Sequence, residues 1–432
     1  MTGEVTLVLD DDPTGTQSAT GVEVLLQWDA DRFADVVAQN DSVYVLTNTR
    51  AVPQAEAVAL IERIRDESTV QAQRLGLRVR YVLRGDSTLR GHVFAESEVL
   101  MGRDAILAFV PAFPDGGRVT EGGIHYVTVD GARIRADQSE YAQDPVFGFD
   151  TADLVEYVNK YGGRAAQLLP LEAVERGADE LADALGKMQP GTVALFDAVT
   201  NDHVRTIAAA IRASWNRGSR VTVRSASPLA AALAGVESHG LLAPAAGTSP
   251  ASALVVCGSH TRGASAQLEA LKPTAGGAIE VDTDRALDNV EAEGERVAEL
   301  ARLTLARQGV VVVSSARHRR PEDGTLAHGQ RVMDALTHVV SRLADEVDVV
   351  VAKGGITSAD VARVGLGARS ARVLGQILPG VSLWQIERGD QAISYAVVPG
   401  NVGDQDTLKV VMQRLGVGRG GVDGGLGVGA AE

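Results

Sequence analysis

A chain of 432 residues with 45% hydrophobic and 22% charged residues has length for two or three domains and enough apolar side chains to bury their cores, which excludes intrinsic disorder. Its 41 Lys+Arg against 56 Asp+Glu leave a net charge of −15, the wrong sign for a protein that works by neutralising phosphate backbones, so nucleic-acid binding is disfavoured while a local basic pocket for a small anion is not. A single cysteine, Cys257, excludes a disulfide framework, disfavours a structural zinc site and fits a reducing cytoplasm.

The opening MTGEVTLVLDDD lacks the basic start of a secretory signal and reads as a strand over residues 5–9 that stops at the acidic run. No apolar run approaches the roughly 18 residues that span a bilayer. Residues 42–46 read as a second strand, and Pro53 opens a helix to about residue 75, since proline is favoured in a first helical turn. Further strands are expected over 79–83, 105–110, 191–196 and 220–223, with a helix over 203–212 capped by Asp202. Around 236–253 the sequence loosens into Gly, Pro, Ala and Ser, the composition of a boundary. Beyond it, strands at 254–257, 309–313 and 347–352 alternate with helices around 291–307 and 326–344, then a strand at 396–398 and a helix at 407–415. Strand–helix alternation predicts an α/β protein of two domains, each with a mostly parallel sheet flanked by helices. The first domain is placed at 1–240, a linker at 241–253, the second domain at 254–415, and a disordered glycine-rich tail at 416–432.

Ligands of parallel sheets lie at the carboxyl ends of the strands, and the polar residues concentrate there. Asp10-Asp11-Asp12-Pro13-Thr14-Gly15 follows the first strand; three adjacent carboxylates need a cation, an arginine or solvent beside them. Thr47-Asn48-Thr49-Arg50 ends the second. Arg84-Gly85-Asp86-Ser87-Thr88-Leu89-Arg90-Gly91-His92 ends another. That set suits a small polyhydroxylated acid, with arginine forking its carboxylate while Asp, Ser and Thr pair with hydroxyls. The loop 111–118 either scaffolds this edge or closes it. In the second half, Gly258-Ser259-His260-Thr261, Ser314-Ser315, Lys353-Gly354-Gly355-Ile356-Thr357 and Pro399-Gly400-Asn401 each follow a strand. Loops of this composition expose amide and hydroxyl donors to phosphate. Lys353 is one of five lysines in the chain, which singles it out. No Walker loop, HExxH or G-x-S-x-G occurs, no G-x-G-x-x-G opens the first βα unit, where the loop is acidic, and no metal ligands are assigned.

Together, the DD-x-TG loop at Asp11, the DSTLRG run from Asp86, the GSHT turn at Gly258, the KGGITS loop at Lys353 and the PGNVG loop at Pro399 resemble the four-carbon acid sugar kinase family over nearly the whole chain. The resemblance implies a sugar-acid domain followed by an ATP domain, and phosphorylation of threonate, erythronate, a 3-oxo-tetronate, or a branched oxo acid such as 3-oxo-isoapionate. It implies that the region of Asp12, Arg84, Asp86, Ser87 and Arg90 holds the acid, and that Ser259, residues 354–357, Gly400 and Asn401 hold ATP with Mg2+. Arg84 stands where family members often carry lysine. On this reading Asp12 is the first choice of base and Asp86 the second, while Lys353 neutralises the transferring phosphate or acts through its backbone. Asp11, Arg50, Thr88, His260 and Ser314 complete the two sites. A metal-assisted sugar-acid lyase or aldolase, or a non-catalytic sensor, is the alternative; a homodimer stays open.

Overall fold

Runs of Val, Leu and Ile bury on both faces, and in the computed structural model they do so as strands of one continuous sheet. The structure describes residues 3–129, 131–238, 240–244, 252–317, 326–400 and 402–417. In the first half the strands are β1 (Gly3–Asp10), β2 (Glu23–Leu25), β3 (Ser42–Leu46), β4 (Leu77–Arg84), β5 (Ile106–Val110), β6 (Arg118–Glu121), β7 (Ile124–Val129), β8 (Ala132–Arg135), β9 (Ala166–Leu169), β10 (Val193–Phe196) and β11 (Val221–Ser225). The second half adds β12 (Ala253–Cys257), β13 (Ile279–Val281), β14 (Val310–Ser315), β15 (Val349–Lys353), β16 (Ser370–Leu378), β17 (Val381–Arg388) and β18 (Gln391–Val398).

Among the described residues fifteen strands join in the order β13-β14-β12-β15-β18-β17-β16-β2-β3-β1-β4-β11-β5-β10-β9. Each half supplies a parallel block, as the strand–helix alternation predicts. The blocks are not separate sheets: the antiparallel strands β16 and β17 connect them, and β16 pairs with β2 through Ala371 and Val24. One core accordingly runs beneath both halves, from Val223 and Tyr44 through Val373 and Trp384 to Val256 and Val313. The expected helices are present as Gln54–Arg74, Asn201–Asn216, Val290–Gln308, Leu326–Leu343 and Thr407–Arg414. The cap of the second is Thr200, whose hydroxyl accepts the His203 amide, rather than Asp202. The loop 111–118 leads into a separate antiparallel sheet, β6-β7-β8. Within the expected linker, Leu242 donates its amide to Gln376 beside β16; of the expected tail, residues 418–432 lie outside the described ones.

The two antiparallel pairings, β2–β16 and β17–β18, flank a third between β16 and β17, so the two parallel blocks run in opposite senses. In a flat sheet this would put their carboxyl ends on opposite edges. Six pairings separate β1 from β15, and at roughly 20–25° of twist per pairing the accumulated rotation is about 120–150°. That rotation offsets most of the reversal, and the carboxyl ends converge.

The seam is also tied by side chains. The short helix Pro13–Ser18 that follows Asp12 presents Thr16, whose hydroxyl accepts Trp384 Nε1 at 2.9 Å and lies 3.1 Å from Ser382 Oγ, all three residues being buried. Thr20 Oγ1 donates to the Leu374 carbonyl at 2.8 Å. Replacing Thr16 by valine keeps the shape and strands the indole N–H without its acceptor. Thr16→Val is expected to lower unfolding free energy by about 1–3 kcal/mol, read by denaturant titration.

Candidate active site

Charge is the organising quantity at the carboxyl ends of β1, β3, β4 and β11. Asp10, Asp11 and Asp12 leave β1 in succession, and three arginines from neighbouring strand ends meet them. Arg84, on β4, donates to Asp10 Oδ1 at 2.9 Å and to the Asp12 carbonyl at 3.2 Å. Arg224, on β11, lies between Asp11 at 3.1 Å and Glu96. Arg50, after β3, bonds Asp12 and stands 3.5 Å from both Asp11 and Asp86. A fourth, Arg90, bonds Asp86 at 2.7 Å.

These groups form two layers. Asp10, Asp11, Arg84, Glu96 and Arg224 are buried, whereas the side chains of Asp12, Arg50, Asp86 and Arg90 keep 11–25% exposure. Burial pushes the Asp10 carboxyl up to about 7 against the pull of Arg84, and pushes Asp11 up despite its three arginines. For Asp12 burial works in the same direction, but Arg50, Arg84 and hydrogen bonds from Thr14 outweigh it and hold the carboxyl below its usual range. Asp86 is held well below as well, burial being overcome by Arg90 and Arg50. The open layer therefore offers two carboxylates and two guanidinium groups.

The loop after β4 is held from behind by the inserted three-stranded sheet and the helix after it. His125, fully buried, has Nε2 2.8 Å from the Ser87 carbonyl and Nδ1 3.1 Å from Thr120 Oγ1. Burial brings its pKa down to about 4, so the neutral ring donates through Nε2 and accepts through Nδ1. Tyr157 donates its hydroxyl to the Leu89 carbonyl at 2.8 Å, and Leu89 sits at φ +68, a left-handed conformation that a leucine keeps only when its surroundings fix it.

The second half brings its loops to the same cleft. Thr261 caps the helix Arg262–Ala275 and donates its hydroxyl to the Gly400 carbonyl at 3.0 Å. Ser259 Oγ lies 3.2 Å from that hydroxyl. A Cβ on Gly400 would stand 3.1 Å from Ser259 Oγ, one on Gly354 3.0 Å from Thr357 Oγ1, and one on Gly258 would overlap Thr357. Ser314 Oγ is buried without a hydrogen-bond partner, and Ser315 Oγ stands 3.5 Å from His260 Nε2. Backbone and hydroxyls, with no carboxylate among them, make this cradle. The halves meet directly: a Cβ on Gly355 would stand 2.7 Å from Asp12 Oδ2. A cavity of about 1330 Å³ spans the cleft, lined by Arg50, His92 and Phe147 on one side and by His260, Ile356 and Thr357 on the other.

Of the residues singled out in the sequence, Asp12, Arg50, Asp86 and Arg90 come together at the open layer. Asp11, Ser87 and Thr88 lie beneath it; the Thr88 hydroxyl is bonded to Asp86. Arg84 is a correction: at 3% exposure it is the counter-ion of the acidic loop and does not reach into the cleft. Lys353 is another, because its ammonium is fully buried and donates to the carbonyls of Pro399 at 2.7 Å and Val402 at 3.3 Å. Burial lowers its pKa to about 8, and it ties down a loop instead of facing a transferring phosphate. Asn401 lies outside the described residues. Arg224, Glu96, His125, Tyr157 and Asp144 were not anticipated. Arg224 had a signal, a charge within the apolar strand VTVRS, which a buried strand tolerates only with partners.

The acid layer has a pH signature. An unfolded Asp ionises near 3.8, whereas folded Asp10 holds its proton to about 7. Between those values the folded state binds the extra proton, so this stabilisation is complete below about 3.8 and lost as pH rises through about 7. Asp10→Asn removes the titration. The wild-type protein is expected to lose on the order of 2 kcal/mol more than the variant between pH 5 and pH 8, compared by denaturant unfolding at both values.

Comparison with known proteins adds to this geometry. Residues 6–233 match a sugar-binding N-terminal domain and residues 254–408 a nucleotide-binding C-terminal domain. The chain is 31% identical to a D-threonate kinase of Bordetella bronchiseptica over 405 residues, which is 90% of this chain and 89% of that one. It is 28% identical to a D-erythronate kinase of Heliobacterium modesticaldum over 199 residues, so the match spans 45% of this chain and 43% of that relative. Solved proteins of Haemophilus influenzae and Salmonella typhimurium share the fold, with TM-scores of 0.65 and 0.67 at 19% and 20% identity; the alignments cover 94% and 95% of this chain and 99% of each of those. Among the described residues no helix is long and apolar enough to cross a membrane. With both domain types matched in order, the chain belongs to the four-carbon acid sugar kinase family.

Proposed function

We propose that the protein transfers the γ-phosphoryl group of ATP to a hydroxyl of a small sugar acid of the tetronate class, including oxo- or branched relatives. The observation that carries this reading is the contact between Asp12 and Gly355: an ionised carboxylate at the acid-binding edge lies against the glycine loop of the nucleotide-binding half. Arg50 and Arg90 supply the guanidinium groups for the acid's carboxylate, and Asp86 accepts from its hydroxyls. Asp12 orients the accepting hydroxyl and takes its proton.

The glycine cradle fits a polyphosphate. Gly258, Gly354 and Gly400 leave no room for side chains beside Thr357 and Ser259, so main chain and hydroxyls are what a ligand meets there. Ser259, Thr357 and the amides of residues 354–357 would hold the phosphates, and Lys353 would hold the 399–402 loop in place. Mg2+ would arrive with the nucleotide. Phosphates and water hold such an ion largely by themselves, and Asp12, against Gly355, is a carboxylate within reach of the cradle. When bound the ion would neutralise phosphate charge.

The test is a panel of tetronates, oxo-tetronates and branched five-carbon acids with Mg-ATP, followed by coupled detection of ADP. Acid-dependent ADP release is expected. Asp12→Asn should lower kcat by about 10²–10⁴ while ATP affinity, measured by calorimetry, stays within a few-fold. Near-normal turnover in the variant would remove Asp12 from the role, and acid consumed without ADP would favour a lyase.

A further inference from the structure

The turn after residue 143 connects three features that otherwise look independent. Asp144 Oδ1 accepts the amides of Val146 at 2.9 Å and Phe147 at 3.0 Å, which folds the turn back on itself. Its other oxygen, Oδ2, lies 3.6 Å from Arg90. Arg90 is thus fixed from three directions: Asp86 at 2.7 Å, Asp144, and the ring of Tyr141 5.1 Å beneath its guanidinium carbon. Beyond the turn, the Phe147 ring meets His92 edge-on with centroids 4.9 Å apart. Phe147, Gly148 and His92 border the same cavity as Arg50.

The chemistry of that border differs from the rest of the acid site. Asp12, Arg50, Asp86 and Arg90 present charge, but Phe147 presents an apolar ring that offers nothing to a hydroxyl. Such a surface acts by occupying space: it refuses a carbon chain that continues past the polar groups, because added hydroxyls would be desolvated against it without partners. The same turn that carries the ring anchors Arg90, so the grip on the carboxylate and the limit on the chain are set by one turn.

Resting on the kinase reading above, we infer that the 144–148 turn is the specificity element of the acid site. Asp144 is a positioning residue that aims Arg90 at the substrate carboxylate, and Phe147 is the stop that limits acceptors to short aldonates over five- and six-carbon ones. Neither residue touches the transferring phosphoryl group, so each should act on the acid and leave the nucleotide alone.

The experiment compares four-, five- and six-carbon aldonates as acceptors for the full-length enzyme and three variants. Phe147→Ala should raise the ratio of kcat/KM for five-carbon over four-carbon acids by about tenfold or more, the scale on which a pocket discriminates one carbon unit. Phe147→Leu, which keeps apolar packing on His92, should shift the ratio in the same direction but less, and serves if the alanine variant does not fold. Asp144→Asn keeps an acceptor for the two amides and removes the charge beside Arg90; it should raise KM for the acid several-fold with kcat and the KM for ATP little changed. An active enzyme whose ratio is unmoved in both Phe147 variants overturns the inference, as does an Asp144→Asn variant whose ATP and acid KM rise together. If the unaltered protein phosphorylates no acid in the panel, the kinase reading itself falls, a result distinct from either.

Discussion

Burying charge at the end of β1 is the constraint from which the site follows. Asp10, Asp11 and Glu96 are out of water with Arg84 and Arg224, and a buried carboxylate without its partner costs about 3–5 kcal/mol. Including the open layer and Asp144, six carboxyl groups face four arginines. The surplus is absorbed where water is least available: Asp10 and Asp11 are the two whose pKa rises, while Asp12 and Asp86 fall. The carboxyls with raised pKa thus lie in the lower layer, and those held ionised lie where a ligand can reach them. The lattice also dictates the glycines of the motifs. A side chain at Gly15 would overlap the Asp10 carboxylate and one at Gly85 the Arg224 guanidinium, so these positions are glycine for the sake of the ion pairs and not for turn geometry.

The same loop is the mechanical joint of the molecule. Asp12 caps the helix Pro13–Ser18, Thr16 of that helix receives Trp384, and Asp12 itself lies against Gly355. A parallel sheet alone would not bring the two sets of strand ends together, since the blocks run in opposite senses. Three antiparallel pairings and the accumulated twist do so, and the acidic loop spans the remaining distance. With the core continuous beneath the seam, the two halves are parts of one packed structure as well as two ligand-binding units.

This division explains what was legible in the sequence. Fully buried parallel strands announce themselves as apolar runs, so β1, β3, β5, β12, β14 and β15 could be read directly, and the polar loops after them followed from strand direction. The strands that join the halves could not. β16 alternates buried and exposed residues over SARVLGQIL, the ordinary look of a half-solvated strand, and nothing in it names β2 as its partner. The side-chain roles were divided in the same way. Asp12, Asp86, Arg50 and Arg90 stand in loops where packing cannot explain them. Arg84 and Lys353 stand at the last residues of β4 and β15, and there a strand's own neighbours claim the side chain: Asp10 for one, the carbonyls of 399 and 402 for the other. A charged residue at the final position of a central strand is already within reach of the sheet's loops, and its first use is to hold them.

A carboxylate with a depressed pKa looks like a poor base, and Asp12 is depressed by the arginines that keep it in place. For phosphoryl transfer this is no obstacle. The transition state is loose, with little bond formation to the attacking oxygen, so the hydroxyl need not be deprotonated in advance. What the reaction requires is an acceptor of fixed position that is ionised at every working pH and takes the proton late. Arg50 meets both needs at once, by pinning Asp12 and by keeping it charged. A base raised toward neutrality, as Asp10 is in the layer beneath, would spend part of its time protonated and would then donate to the incoming oxygen instead of accepting from it. The order of the two layers, pKa raised below and lowered above, is therefore the arrangement that the proposed chemistry needs.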